Sequence, residues 1–164
     1  MRGAERGAWV AQEDAHLVAR LDALLLLCYA VAHGRTQSRI AELAALPEEA
    51  VLDCRLFSSL LRPAYTLFRH DASRSLVLCL RGTQSLRDTL TCLTAATAPH
   101  HYLAPGEAPV LGFAHSGFLT AARWLLDVTA VPLRRACTAY PTYSLQARGR
   151  LPGALLRALV GARF

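Results

Sequence analysis

From Glu13 to His33 the apolar residues recur at helical spacing. Leu17, Leu21, Leu24, Leu25, Cys28 and Ala32 share a face, and Gly34 stands where such a helix ends. The second half of this segment is apolar enough to predict extensive burial. Thr36 and the run Pro47-Glu48-Glu49 predict the starts of two further short helices. Proline at a first helical position, followed by acids in the first turn, suits the helix dipole. The pattern then changes period. Tyr65 to His70 alternates weakly, Asp71-Ala72-Ser73-Arg74 has the composition of a turn, and Leu76 to Leu80 is a continuous apolar run. Such a run marks a strand covered on both faces, and the two segments predict an antiparallel pair.

Immediately after the second strand come Arg81-Gly82-Thr83 and then Ser85-Leu86-Arg87-Asp88. Gly82 permits a sharp turn or a close backbone approach. Ser85 to Asp88 matches a capping box, with Ser85 as N-cap and Asp88 reaching back to its amide. Strand, tight turn and capped helix form the opening of an α/β unit, in which ligands bind at the carboxyl ends of strands. By itself the turn reads first as a well-made βα connection. Ala95 to Leu111 carries prolines at 99, 105 and 109 and also Gly106, which predicts a long loop less ordered than its flanking helices. Phe118 to Val128 predicts a helix with Phe118, Ala121, Ala122, Leu125 and Leu126 on one side and Pro132 just past its end. Further on, Tyr143-Ser144-Leu145 fits a short strand and Gly153 to Phe164 a helix of mostly alanine, leucine and arginine.

Composition narrows the function classes. With 164 residues, 53% of them hydrophobic and 18% charged, the chain suits one globular domain with a real core. The net charge is +6, and every basic residue is arginine. The arginines are scattered and not interleaved with aromatics, so nucleic acid is not an expected partner. A mild attraction to anionic lipid is easier to support. The five cysteines (28, 54, 79, 92 and 137) include no CxxC pair, which gives neither zinc-ligand spacing nor a secreted disulfide framework. Most of them read as buried small hydrophobes, and no metal or cofactor is expected. The opening MRGAERGAWVAQED lacks the apolar core of a signal peptide. The most apolar run, Ala23 to Ala32, is shorter than the roughly 20 residues that a bilayer crossing needs. The expectation is an intracellular chain, soluble or peripherally membrane-associated.

Three blocks in order, PAYTLFRHD, LVLCLRGTQSLRDTLTCL and AHSGFLTAARWLL, carry a resemblance over residues 63 to 126. Here the chain resembles the class 3 lipases, the fungal-lipase-like branch of the α/β-hydrolases. The run RGTQSLRDTLTCL is most similar to the diacylglycerol lipase branch. The resemblance implies an incomplete α/β-hydrolase-like fold: a single truncated lipase-like domain over 1–164. Residues 10–55 would be its helical N-terminal part and 128–164 a divergent basic tail. It also implies that Thr83 lies in the oxyanion hole, where its amide would stabilise the charge of an acyl-transfer intermediate, with Gly82, Ser85 and Asp88 as the supporting turn. The family's following helix carries an aspartate where this chain has Cys92. The Ala95 to Leu111 loop corresponds to the lid region, and His115 falls in a His-x-Gly-Phe block where the family uses it structurally.

A serine hydrolase also needs a strand, then Gly-x-Ser-x-Gly, then a helix. No serine of this chain has glycine both two before and two after it. Ser116 has Ala114 in the first glycine position, and adjacent side chains diverge, so His115 is poorly placed as its base. In the family a Tyr-x-Leu strand leads into the elbow. At the same spacing from Tyr143 this chain has Gly149-Arg150-Leu151-Pro152-Gly153. Both glycines are present, but Leu151 holds the nucleophile position, and Pro152 constrains it toward extended angles. No acid follows Asp127 and no histidine follows His115. The expectation is the N-terminal half of a lipase with its elbow lost. Three functions stay open: a lipase-family chain whose intact form hydrolyses acylglycerol esters, a non-catalytic remnant that binds lipid or protein, and a basic helical module for membrane surfaces.

Overall fold

The computed structural model describes residues 2–81, 96–102 and 110–149. Helix α1 runs from Arg2 to His33, beginning well before Glu13. Its buried side chains are Leu27, Ala30 and Val31, with Leu24 and Cys28 half-buried. Leu17, Leu21 and Leu25, expected on the inner face, are exposed, Leu25 at 66%. The correction has a simple cause. The run Leu24 to Leu27 is apolar all the way round, so sequence alone cannot orient it, and among the described residues of α1 the buried side chains lie in its last turns.

Helix α2 (Gln37–Leu43) starts as expected, with the Thr36 hydroxyl accepting from the Arg39 amide at 3.2 Å. Between α1 and α2, Gly34 donates its N–H to Ala30 O at 2.7 Å. A Cβ on Gly34 would overlap Ile40 Cγ1 and lie 2.8 Å from Ala30 O. Ile40 is fully buried and has no room to yield. Gly34→Ala is therefore expected to lower the unfolding free energy by about 1–3 kcal/mol, the usual range for overpacking. Urea denaturation measures this, and a change below about 0.5 kcal/mol, the range of an ordinary surface site, would show that the α1–α2 corner is not closed in this way.

One 3-10 turn, Glu48–Ala50, leads into strand β1 (Val51–Arg55). Strand β2 (Tyr65–His70) and strand β3 (Ser75–Leu80) pair antiparallel from Tyr65↔Leu80 to His70↔Ser75. The turn between them closes through Arg74 in the left-handed region, at φ 47°. After β3, an antiparallel ribbon of β4 (Thr97–Tyr102) and β5 (Val110–His115) leads into helix α3 (Ser116–Ala139). Strand β6 (Ser144–Gly149) then returns parallel to β3, in register from Ser75↔Ser144 to Leu80↔Gly149. The four-stranded sheet has the order β1-β2-β3-β6.

Strand β3 explains why its sequence is a continuous apolar run. All six of its residues are buried. Val77 and Cys79 point to one face, with Phe68, Leu27, Ala30, Val31, Ile40 and Ala41. Leu76, Leu78 and Leu80 point to the other, with Leu67, Leu125, Leu133 and Ala136. Helices α1 and α2 thus cover one face of a mixed sheet and α3 the other, a three-layer α/β arrangement.

Two expectations need correction. The predicted helix end at Val128 is wrong: α3 continues through Pro132 to Ala139. Leu125, Thr129, Leu133 and Ala136 keep one buried helical stripe across the proline. The Thr129 hydroxyl donates to Leu125 O at 2.7 Å. Burial of that stripe outweighs the one hydrogen bond that Pro132 cannot donate. The stretch Ala95 to Leu111 is not irregular throughout. Its described parts are strands, with Pro99 opposite Phe113 in a two-stranded ribbon that tolerates a missing donor on an outer edge. Among the described residues no helix is long and apolar enough to cross a membrane.

Candidate functional site

The parallel pairing of β3 with β6 sets the geometry of the candidate site. Leu80 and Gly149 are register partners at the carboxyl ends of adjacent strands. The chain leaves β3 through Arg81 and ends β6 at Gly149, so both exits lie on one edge of the sheet. In an α/β sheet this is the edge where ligands bind. Gly149, expected as the first elbow glycine, is the last residue of β6. Gly82, Thr83, Ser85, Asp88, Cys92, Leu151 and Gly153 lie outside the described residues.

Arg81 fixes the β3 exit, a role the sequence did not single out. Its amide donates to Ala64 O at 2.9 Å. Its guanidinium donates through Nη1 to Leu56 O at 3.0 Å and through Nη2 to Ser58 Oγ at 2.7 Å. The planar fork ties the β1–β2 connection to the first residue after β3. No local pattern could have shown this, because the acceptors lie more than twenty positions upstream and one is a backbone carbonyl.

Ser116 and His115 are placed elsewhere. They join the β4–β5 ribbon to α3, away from the four-stranded sheet's own strands. The Ser116 amide donates to Ala96 O at 2.8 Å. The His115 ring is the N-cap of α3: Nδ1 accepts from the Phe118 amide at 3.4 Å, and the two rings lie with centroids 4.5 Å apart. A ring nitrogen used as a cap acceptor is not available to take a proton from the neighbouring serine.

Another serine–histidine contact occurs at the opposite end of β3. His70 Nδ1 lies 2.6 Å from Ser73 Oγ. These residues border a cavity of about 610 Å³ between α1 and β6, walled by Leu24, Leu27, Val77 and Gln146. The nearby carboxylate is committed elsewhere: Asp71 forms an ion pair with Arg69, Oδ1 to Nε 2.9 Å, and accepts from the Tyr143 hydroxyl at 3.0 Å. Ser73 sits in the β2–β3 turn, at the amino end of β3, so this contact closes the turn and is not a triad. A second cavity, of about 490 Å³, lies between β1 and α3 and is bordered by Asp53, Tyr65, Arg135 and Tyr140. There the Tyr65 hydroxyl donates to Asp53 Oδ2 at 2.9 Å. Burial, reinforced by that acceptor, holds the Tyr65 phenol well above the usual tyrosine range. Among the described residues no cluster of three His, Cys, Asp or Glu side chains could hold a metal ion.

Several solved fungal lipases share this arrangement. The triacylglyceride lipase of Rhizomucor miehei superposes with a TM-score of 0.54 at 17% identity, over 87% of this chain and 52% of that one. Lipase II from Rhizopus niveus gives 0.53 at 22% identity, over 91% and 54%. The lipase from Rhizopus microsporus var. chinensis gives 0.52 at 23%, over 90% and 50%. This chain spans about half the length of these lipases. No family model matches the sequence, and no curated protein matches it. The chain therefore has a partial lipase-like α/β fold.

Proposed function

We propose that this chain is of class 3 lipase descent, in the diacylglycerol lipase branch, and that its 164 residues hold the ester-hydrolase framework without its nucleophile. The observation that carries this reading is the Leu80↔Gly149 pairing. It puts the end of β3 and the end of β6 side by side at one sheet edge, and the Gly82-Thr83 and Arg150-Leu151-Pro152-Gly153 segments follow those two ends in the sequence. A serine esterase needs this relation, because its oxyanion donor and its nucleophile must meet the same carbonyl. Thr83 N–H is the proposed donor, with Gly82, Ser85 and Asp88 shaping the turn. Leu151 occupies the nucleophile position, which favours a non-catalytic role in binding acylglycerol or a lipid surface. The exposed Leu17, Val18, Leu21, Leu25 and Leu26 of α1 support contact with lipid, as does the net charge of +6.

The test is proximity of the two exits in solution. In the Thr83→Cys/Leu151→Cys variant, a short bis-maleimide is expected to link positions 83 and 151, and mass spectrometry identifies the joined peptides. Failure of that pair to form, while both introduced thiols are singly labelled, would mean that Leu151 is not at the elbow.

A further inference from the structure

We propose that the cavity between α1 and the amino end of β3 binds one single-chain fatty carboxylate, with its tail inside and its head at Arg20. The cavity holds about 610 Å³, within the range of small-ligand sites. Small side chains on one face of α1 make it. Leu27 is buried against the sheet. Ala23 and Ala19, about one and two turns earlier on the same face, border open space instead. With Arg20 and Leu24 they form a wall about 12 Å long. Val77 of β3 and Gln146 of β6 stand on the sheet side. His70, Ser73 and Ser144 border the cavity at the strand ends. The register sets His70 and Ser144 on either side of Ser75, the first residue of β3.

The lining changes character with depth. Leu27 and Val77 are each 1% exposed. Arg20, Ser73 and Ser144 are exposed, and His70 is half-buried. An apolar floor under a polar mouth fits an amphiphile. A sugar or a nucleotide would leave polar groups unpaired against Leu27 and Val77. The charges select the sign of the head. Arg20 makes no ion pair or hydrogen bond among the described residues, and no described acid borders the cavity. Asp71, in the same turn as Ser73, is taken by Arg69 and Tyr143. His70 meets Ser73 Oγ through Nδ1, while its Nε2 has no partner among the described residues. A carboxylate at the mouth therefore meets a guanidinium with no competing acid, and the planar fork donates to both of its oxygens. Each further methylene carried onto the floor adds apolar burial, so affinity should rise with chain length. The site lies at the opposite strand ends from the Leu80–Gly149 edge, and it stands whether or not Leu151 is at the elbow.

The experiment titrates the whole chain with dodecanoate, below its micellar concentration at pH 8, by isothermal calorimetry. One molecule per chain is expected to bind. Octanoate should bind more weakly, and dodecanol and dodecyltrimethylammonium at least ten-fold more weakly. Arg20→Gln should weaken dodecanoate at least ten-fold. Arg134→Gln removes the same charge from an exposed position on α3 and should leave binding unchanged. Ala23→Trp, which fills the space from a half-buried helix position, should abolish binding. Should that variant not fold, the unaltered chain gives an independent reading. Dodecanoate with a diazirine at its tail end should, on illumination, label the peptides that hold Leu24, Leu27 or Val77. No saturable binding, dodecanol binding as tightly as dodecanoate, equal losses in the two arginine variants, or labelling confined to other segments would overturn the proposal.

Discussion

Purified as these 164 residues, the chain is expected to release no detectable fatty acid or alcohol from a short-chain ester or a diacylglycerol in a steady-state assay. The reason is chemical. An acyl-enzyme forms only when a nucleophilic atom attacks the ester carbonyl, and a leucine side chain has none. Within these residues no histidine follows His115 and no acid follows Asp127, so a serine introduced at 151 would have no base after it among them. Loss of a triad nucleophile costs about a million-fold in kcat, while an oxyanion hole and binding alone retain about 10³–10⁴ over water. That residue of catalysis lies below the reach of a steady-state ester assay. Leu151→Ser alone is accordingly expected to stay inactive. Ser116→Ala is the control: its amide is held by Ala96 O, and its neighbour His115 caps α3. Turnover abolished by Ser116→Ala would identify Ser116 as the nucleophile and would refute the elbow alignment at Leu151.

The parts of this fold that were legible in the sequence are those fixed by local chemistry. The β2–turn–β3 hairpin was readable because its register is set within sixteen residues and β3 is apolar on both faces. Thr36 showed the start of α2 because its hydroxyl satisfies a helix amide three residues on. Strand β1 was missed. Asp53 and Arg55 interrupt its apolar pattern, and a register shift between Val51 and Asp53 breaks its alternation. The α3 end is not legible locally because Pro132 signals a stop while the burial of Leu133 and Ala136, which carries the helix past it, depends on the distant sheet. Around the candidate site, the sequence supplied the two segments but not the pairing of the strands that precede them. The β3–β6 pairing joins residues about seventy positions apart, and no local pattern encodes such a partner. The Arg81 clamp is hidden for the same reason.

The other large effect belongs to the core beneath that edge. Phe68 lies in β2, one of the two central strands, with Val51 and Val77 as its register partners on either side. Its side chain is 0% exposed and packs with Leu27, Val31 and Ile40 where both N-terminal helices meet the sheet. Phe68→Ala removes a ring from the centre of the cluster in which Leu27, Val31 and Ile40 meet the sheet. The cost is the lost transfer energy plus the cavity left behind, about 3–5 kcal/mol. Against a total stability of about 5–15 kcal/mol for a domain, this change alone would bring a marginal chain close to its unfolding midpoint. Phe57, in the β1–β2 connection, is 66% exposed and serves as the matched comparison. Phe57→Ala removes the same atoms from a site already in water and should change stability by no more than about 0.5 kcal/mol. Urea denaturation followed by circular dichroism separates the two variants, because the midpoint shifts in proportion to the stability lost while the slope stays constant. Equal shifts would mean that Phe68 is not where the α1–α2 layer closes on the sheet.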